Sequence, residues 1–437
     1  MKPDTGMGPR TYLGLLLAIT LLALGLRVGM AEAFVGLSSP PDLSASPDQG
    51  EYDLILRNMI AGHGYARAPG QPTARRAPGL AFTLYPIYAL THGSYAAARI
   101  QIALMSAATC LLVGLIATNL ATRRAGLIAA GLLALYPGHA YYGMHLLSEG
   151  PFAFYLAWAV LLTLVAMRRS GLAWYAGAGM VWGMAVLTKP QFVLLGPLAG
   201  LVALGYALWR WEWRPVAAVA VCGLAGAMLV TPWIIRNAVV MDSPGLSTIG
   251  GYTLWAGNNP VSYDDPQWRG RGLPTSQIES AMGVRLPEGE AASDAQAKAY
   301  AKQFLREHRA DLPALAGWKL YRLVTPFQPS DNRVVYWAEA FSWIALAPFV
   351  ALGWWQGIRR LPRETVLMLG PVVITLAVTV VYMAIIRYRN ALLPVLVPFA
   401  AIAIELGWRW AATRLGRPEA SAPYQLEQDP MLRRRAA

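Results

Sequence analysis

Acidic residues and cysteine are the scarce components of this 437-residue chain, which has 24 Asp and Glu and two Cys. Cys110 and Cys222 each fall inside an apolar run, without CxxC spacing or a neighbouring histidine. They read as small packing residues and say nothing about redox compartment. Nucleotide signatures are missing too: there is no Walker loop and no GxGxxG between a strand and a helix. Charged residues of both signs reach only 14% against 56% hydrophobic, and the apolar residues come in long blocks rather than dispersed through a soluble core.

Those blocks define the class. Uncharged runs cover Ile100–Thr122, Ala125–Ser148, Gly150–Met167, Gly171–Thr188, Pro190–Trp209, Pro215–Ile235, Ala340–Ile358 and Thr365–Ile386. Thr11–Met30 precedes them as an anchor without a small-residue cleavage site, and Asn390–Ala412 follows. About 20 apolar residues at 1.5 Å each cross a hydrocarbon core of about 30 Å, so the sequence predicts an all-α polytopic membrane protein of about ten spans. Pro78–His92 is apolar but reads as a juxtamembrane or re-entrant segment, because counting it as a span would invert the charge pattern.

Basic connectors at Arg123-Arg124, Arg168-Arg169, Arg210/Arg214 and Arg359-Arg360 with Arg363 fall on one side of a ten-span threading. Lys2, Arg10 and the Arg433-Arg434-Arg435 tail fall there as well. The positive-inside rule makes that side cytoplasmic and sends the loop at 31–93, the turns at Glu149 and Lys189, and residues 237–335 outside. This topology absorbs most of the net charge of +13, leaving no case for nucleic acid. The expected organisation is a membrane module at 1–236, an outer soluble region at 237–335, further spans at 336–412 and an inner tail at 413–437.

The outer side collects the remaining acids. Asp42, Asp48, Glu51 and Asp53 lie within twelve positions. Ser46-Pro47-Asp48 reads as a helix start, with Asp48 near the cap and Glu51 three residues on, as in a capping box. Tyr52, Ile55, Met59 and Ile60 then fall near one face of a short amphipathic helix on the membrane surface. Arg75-Arg76 suits either a phosphate group or lipid headgroups.

Further along, Ser148-Glu149-Gly150-Pro151 reads both as a helix cap and as an intramembrane acid with a function. Lys189 reads as a snorkelling residue or a ligand for an anion, and Arg236 would lie level with headgroup phosphates beside the interfacial Trp233. The stretch 250–260 is turn-rich and offers aromatics and amides, either as a plain loop or for sugar contacts. Helices are expected at Glu288–Arg309 and around Ala314–Leu323. Arg387-Tyr388-Arg389-Asn390 precedes the last span.

An acid after the first span, an acid after the third, a lysine ending the fifth and an Arg-Tyr before the last resemble the GT-C superfamily of integral-membrane glycosyltransferases. More closely, the chain is similar to the family that includes protein O-mannosyltransferases and the lipid A aminoarabinose transferase. The resemblance rests on Asp48…Tyr52, Ser148-Glu149-Gly150-Pro151-Phe152, Leu187-Thr188-Lys189 and Pro232-Trp233…Arg236-Asn237. The chain departs from the family's pattern at Gln49, where a second acid is common, at Glu149 in place of Asp, and at Pro78-Gly79 in place of Pro-Pro.

The resemblance implies a GT-C-like bundle with a small periplasmic domain, in a bacterial inner membrane, with its active site facing the periplasm. It implies a polyprenyl-phosphate-sugar donor and an acceptor in lipid A, another envelope glycan, a lipid or a protein. Asp48 and Glu149 are then the expected catalytic residues, with Asp48 as general base in an inverting displacement. Lys189, Arg236, Arg387 and Arg76 are expected at the donor phosphate, and Tyr52, His145, Trp255 and Asn258 at sugar or acceptor. A divalent metal is left open. Glu51 and Asp53 are expected to tolerate substitution. Two other classes stand beside this one: a flippase for lipid-linked sugars, and a non-catalytic assembly factor on the same fold. The absence of an internal repeat and the gathering of acids at span ends favour the enzyme over the flippase.

Overall fold

The computed structural model describes residues 7–43, 46–169, 171–327 and 333–415. Lys2 and the arginine triplet of the tail lie outside the described residues. In hydrocarbon every backbone polar group must be satisfied within its own segment, and the apolar blocks accordingly fold as helices. In chain order these begin with α1 (Pro9–Phe34), α2 (Pro47–Ile60), α3 (Gly79–Leu90), α4 (Tyr95–Leu120), α5 (Arg123–Leu135) and α6 (Pro137–Tyr142). Then come α7 (Glu149–Arg169), α8 (Leu172–Thr188), a 3-10 turn at Pro190–Leu194 running into α9 (Leu195–Arg210), and α10 (Arg214–Met241).

Five helices follow in the connecting region: α11 (Gly250–Gly257), α12 (Pro260–Asp264), α13 (Thr275–Met282), α14 (Glu290–Glu307) and α15 (Leu312–Val324). The last group is α16 (Arg333–Arg360), α17 (Pro362–Val381), α18 (Ile386–Ala391) and α19 (Leu393–Arg414). A two-stranded hairpin, Ala66–Ala68 with Gln71–Pro72, is the sole sheet among the described residues.

Eight of these helices are long and apolar enough to cross a membrane, two fewer than the ten expected. The other two expected crossings are helical but short. Leu172–Thr188 has 17 residues, about 26 Å at 1.5 Å per residue. The run expected at Ala125–Ser148 stops at Leu135 because Pro137 forces Tyr136 into extended backbone. The carbonyls exposed by that break are capped from inside the bundle. Arg27, fully buried on α1, donates Nη1 to the Ala134 carbonyl at 3.1 Å and Nη2 to that of Leu133 at 3.3 Å. Its Nε bonds Ser106 Oγ at 2.7 Å. The break matters because α6 and the turn after it carry the chain to Glu149 at the start of α7.

The short α3, 12 residues or roughly 18 Å, does not span. Gly79 at its start lies hard against the end of α8: a Cβ there would sit 2.3 Å from Thr188 Oγ1 and 2.5 Å from the Thr188 nitrogen. This contact needs glycine, and it packs the segment that follows Arg76 against the end of α8 just before Lys189.

Arg123-Arg124, Arg168-Arg169, Arg210, Arg214, Arg359-Arg360 and Arg363 lie at the turns between α4 and α5, α7 and α8, α9 and α10, and α16 and α17, which contacts gather at one end of the bundle. Contacts join that end laterally, as in Thr122 Oγ1 to Glu405 Oε2 at 2.6 Å and Arg363 Nη2 to Tyr206 OH at 3.0 Å. The opposite end carries α2, α3, the connecting region and α18.

The connecting region has a small core of its own, built from Leu254, Trp255, Leu273, Ile278, Ala297 and Ala301. Residues 250–257, read from sequence as turn-rich, are helical, and Trp255 is 1% exposed. The helices expected at Glu288–Arg309 and Ala314–Leu323 appear as α14 and α15. The span expected to close at Ile235 continues as helix to Met241.

Candidate active site

The α2 helix begins at Ser46, with Pro47 at its first position, but no side chain caps it. The expected capping box does not form, because the carboxylates of Asp48 and Glu51 are engaged by arginines instead. Asp48 accepts from Arg76 Nη2 at 2.6 Å and from Arg387 Nη1 at 2.8 Å. Glu51 accepts from Arg76 Nε at 2.5 Å and Arg75 Nε at 3.2 Å. The rest of α2 buries Tyr52, Ile55 and Leu56 in the main core. It is a packed helix rather than one lying free on the membrane surface.

The second acid meets the same arginine. Glu149, 1% exposed at the first position of α7, accepts from Arg387 Nε at 2.9 Å and Nη2 at 3.1 Å. Lys189, which caps α8, donates to Glu149 Oε1 at 2.6 Å. The result is one continuous chain of ion pairs, Arg75–Glu51–Arg76–Asp48–Arg387–Glu149–Lys189, drawn from five parts of the sequence. These seven residues hold four cations against three carboxylates, and Asp294 lies within electrostatic reach of Arg75 at one end. Buried charges demand partners, and here each charge has at least one.

The surroundings are aromatic. Burial pushes the Tyr52 phenol up to about 12, so it stays protonated as a donor beside Asp48 and Ser148. Tyr141, Tyr142 and Tyr388 all lie within electrostatic reach of Arg387 and Glu149. His145 stacks against Tyr141 with ring centroids 4.2 Å apart, and its Nδ1 bonds the Tyr141 carbonyl at 2.8 Å. The next residue's amide, Leu146 N, donates to Gln49 Oε1 at 3.1 Å. Gln49 thus ties α2 to the turn before Glu149, a job that a carboxylate at this position would do at the cost of another buried charge.

Burial alone would raise the Asp48 carboxyl, but Arg76 and Arg387 outweigh it and hold Asp48 below the usual carboxylate range. It is ionised, and each of its oxygens accepts from one guanidinium.

Of the expected site residues, Asp48, Glu149, Lys189, Arg387 and Arg76 come together, with Tyr52 and His145 at their edge. Three do not join them. Arg236 donates to the Tyr65 and Thr73 carbonyls at 2.9 and 2.7 Å, so it braces the first loop. Trp255 and Asn258, expected to face a sugar, are buried in the connecting region. There Asn258 bonds the Leu254 and Val381 carbonyls and accepts from Lys319 Nζ at 2.8 Å. Glu51, expected to tolerate substitution, and Arg75, read with Arg76 as suited to a phosphate but not counted among the site residues, belong to the network; the crowding of acids at 42–53 and the paired arginines are the signals for them. Asp53 faces away and takes hydrogen bonds from Tyr95 OH at 2.9 Å, Tyr88 OH at 3.2 Å and Arg57 Nε at 3.0 Å. It fastens α2 to α3 and α4.

A divalent metal does not fit this arrangement. Asp48 and Glu149 are the two carboxylates that a cation would bridge, and the Arg387 guanidinium already lies between them. Among the described residues no group of three or more His, Cys, Asp or Glu side chains is placed to hold a metal ion.

Comparison with known proteins agrees with the resemblance read from sequence. Residues 75–235, under half of the chain, match the family described as dolichyl-phosphate-mannose-protein mannosyltransferase. No curated protein sequence matches the chain. Among solved structures, the Archaeoglobus fulgidus oligosaccharyltransferase tethered to an acceptor peptide is similar at a TM-score of 0.58 and 14% identity, over 99% of this chain and 54% of that one. The same organism's AglB, in complex with an inhibitory peptide and a dolichol-phosphate, gives 0.57 and 15%, over 95% and 52%. The chain thus spans about half the length of these archaeal proteins. ArnT from Cupriavidus metallidurans bound to undecaprenyl phosphate is matched at 0.42 and 17%, over 93% of this chain and 80% of that one, too weak a likeness to argue from. The shared architecture is the GT-C membrane fold.

Proposed function

We propose that this protein is a glycosyltransferase that moves a sugar from a polyprenyl phosphate to an acceptor hydroxyl at the periplasmic face of a bacterial inner membrane. The observation that carries the reading is the placement of Arg387 between Asp48 and Glu149, with Arg76 and Lys189 on the outer flanks. A site that gathers four cations at the end of a helical bundle suits a lipid phosphate, whose tail lies along the spans while its sugar projects outward. The family match over residues 75–235 supports the same donor class.

The chemistry follows from competition for the arginines. Without donor, Arg76 and Arg387 each pair with one oxygen of Asp48 and make it a weak base. A phosphate arriving at these guanidiniums takes over part of their hydrogen bonding. Asp48 is then freer to accept the proton of an acceptor hydroxyl as its oxygen attacks the anomeric carbon. The bond from the anomeric carbon to the phosphate oxygen breaks in the same displacement, and the charge that develops on phosphate is met by Arg76, Arg387 and Lys189. Glu149, buried and ion-paired at both oxygens, holds Arg387 and Lys189 in place. The direct displacement inverts the anomeric centre. Tyr52 and His145, both buried beside the network, are assigned to the sugar and acceptor side.

The test is transfer in detergent. Purified protein with radiolabelled undecaprenyl-phosphate sugar and an envelope extract is expected to move label out of the donor lipid into a second fraction. A flippase acts only across a sealed bilayer and, like an assembly factor, yields no such product.

A further inference from the structure

A second charged cavity lies beside α18, and the chemistry above does not use it. Its volume is about 280 Å³, and one wall is Ala256 with residues 271–274 of the connecting region. The other wall is Met383, Ala384, Ile385 and Ile386, immediately before Arg387. One backbone contact joins the walls, Ala384 N to the Gly270 carbonyl at 3.0 Å, and another, Leu273 N to the Ala256 carbonyl at 3.0 Å, holds the first wall together. Gly270 has φ of +81°, and a Cβ there would lie 2.9 Å from the Trp318 carbonyl carbon, so the chain turns toward the cavity only with glycine.

Arg271 is the charged residue of the lining. Its guanidinium is half-buried and packs 5.1 Å from the Trp268 ring centre. Among the described residues it has no carboxylate partner and no side-chain hydrogen bond. The charged group nearest in influence is another cation, Arg322, which is itself bonded to the Arg269 and Pro266 carbonyls. A half-buried guanidinium facing like charge is costly unless an anion completes it. At roughly 30 Å³ per water, the cavity has room for a group much larger than a few solvent molecules.

We propose that this cavity binds an anionic group, a phosphate or carboxylate, carried by the acceptor close to the hydroxyl that reacts. Arg271 pairs with the anion, while Leu273, Met383, Ile385 and Ile386 take the apolar part next to it. Because the second wall runs directly into Arg387, an acceptor seated here is delivered to the carboxylate–guanidinium network. The inference rests on the glycosyltransferase reading for the word acceptor, and on the cavity alone for the anion.

The experiment uses the full chain in nanodiscs of neutral lipid. Undecaprenyl phosphate is first added to saturation, and binding of decyl phosphate and of decanol is then measured. One further equivalent of decyl phosphate is expected to bind, and decanol at least about tenfold more weakly, as a charge-assisted contact requires. Arg271→Gln is expected to lose decyl phosphate at least about tenfold while keeping undecaprenyl phosphate. Met383→Trp, which fills the cavity without touching a charge, is expected to lose it as well. Displacement by inorganic phosphate supports a site for the bare anion, and failure to displace supports an anion on an apolar chain. Equal binding of phosphate and alcohol, or unchanged binding in both variants, overturns the inference and leaves the donor reading intact. Absence of undecaprenyl phosphate binding overturns the donor reading instead, and the Arg271 comparison still decides the cavity.

Discussion

Arg387 grips Glu149 with two nitrogens, Nε to Oε1 at 2.9 Å and Nη2 to Oε2 at 3.1 Å, while its third nitrogen reaches Asp48 Oδ2 at 2.8 Å. One planar cation thereby fixes the distance between the two acids that sequence reading singled out. A lysine could keep the charge but not the fork. Arg387→Lys is expected to fold and insert, and to lose roughly ten- to a hundredfold in donor affinity, the worth of one or two charge-assisted contacts. Equilibrium binding of undecaprenyl phosphate measures it; unchanged affinity would reduce Arg387 to a structural strut.

Asp48 makes no capping hydrogen bond, so replacing it by Asn forfeits nothing at the start of α2. Arg76 keeps Glu51 and Arg387 keeps Glu149 as partners in that variant. Asp48→Asn is therefore expected to be stable and to bind donor, yet to lose at least about a hundredfold in turnover, because an amide cannot accept the acceptor's proton. Asp53→Asn is the matching control with the opposite outcome. It weakens the acceptor shared by Tyr88, Tyr95 and Arg57, for a stability loss of roughly 1–3 kcal/mol, with turnover per folded molecule preserved. Thermal melting beside single-turnover rates separates the two. Equal loss of turnover in both variants would return Asp48 to a structural role.

Much of this was legible in the sequence because hydropathy and charge sidedness are strong, local signals. The uncharged runs marked the long spans, and the acids and cations left at the other end of the threading turned out to be Asp48, Glu149, Lys189 and Arg387. What escaped was tertiary. Glu51 looked like the second half of a capping box because spacing alone cannot reveal that Arg75 and Arg76 compete for it. Arg236 looked free because its acceptors, the Tyr65 and Thr73 carbonyls, lie about 170 positions away in the chain. Trp255 and Asn258 resembled a sugar platform, yet Trp255 is buried in a small core that has no long apolar run to announce it, and Asn258 is taken up by Lys319 and backbone carbonyls. Pro137 was visible inside an expected span; the buried Arg27 that makes its break tolerable was not.

The depressed Asp48 carboxyl has a consequence for pH dependence. In the proposed mechanism its ionised form is the active one, so activity is expected to fall as pH drops through its titration. In free protein, Arg76 and Arg387 place that titration below the ordinary value of about 3.9. With donor bound, the phosphate shares those cations and adds negative charge, which raises Asp48. The acid limb of kcat is therefore expected at higher pH than that of kcat/KM, the two reporting complex and free enzyme respectively. The stabilising contribution of the ion pairs is present above the unfolded value and lost only as pH falls through the folded one, so melting temperature should stay flat near neutrality. Coincident limbs would mean that donor does not draw the arginines from Asp48.

Since Arg387 holds the position between the two carboxylates, a chelator should change nothing. Transfer rates after treatment with EDTA, and after adding back magnesium or manganese, are expected to agree with the untreated rate within about twofold. The guanidinium supplies the positive charge that a divalent ion would bring. A loss of tenfold or more that a metal restores would require Arg387 to swing away and free both acids, overturning the arrangement proposed for catalysis.

Sidedness is the last expectation. The basic turns lie at the end away from the network, and the positive-inside rule makes that end cytoplasmic. Ser276, exposed on α13, and Trp211, 83% exposed in the turn between α9 and α10, mark the two ends. In intact spheroplasts a membrane-impermeant maleimide is expected to label Ser276→Cys and to spare Trp211→Cys until the membrane is opened. Neither substitution touches the ion-pair network, so transfer should persist in both and report correct folding. The reverse pattern would put Asp48 and Arg387 on the cytoplasmic side, within reach of nucleotide sugars, and a lipid-phosphate donor would no longer be the substrate that the site's location favours.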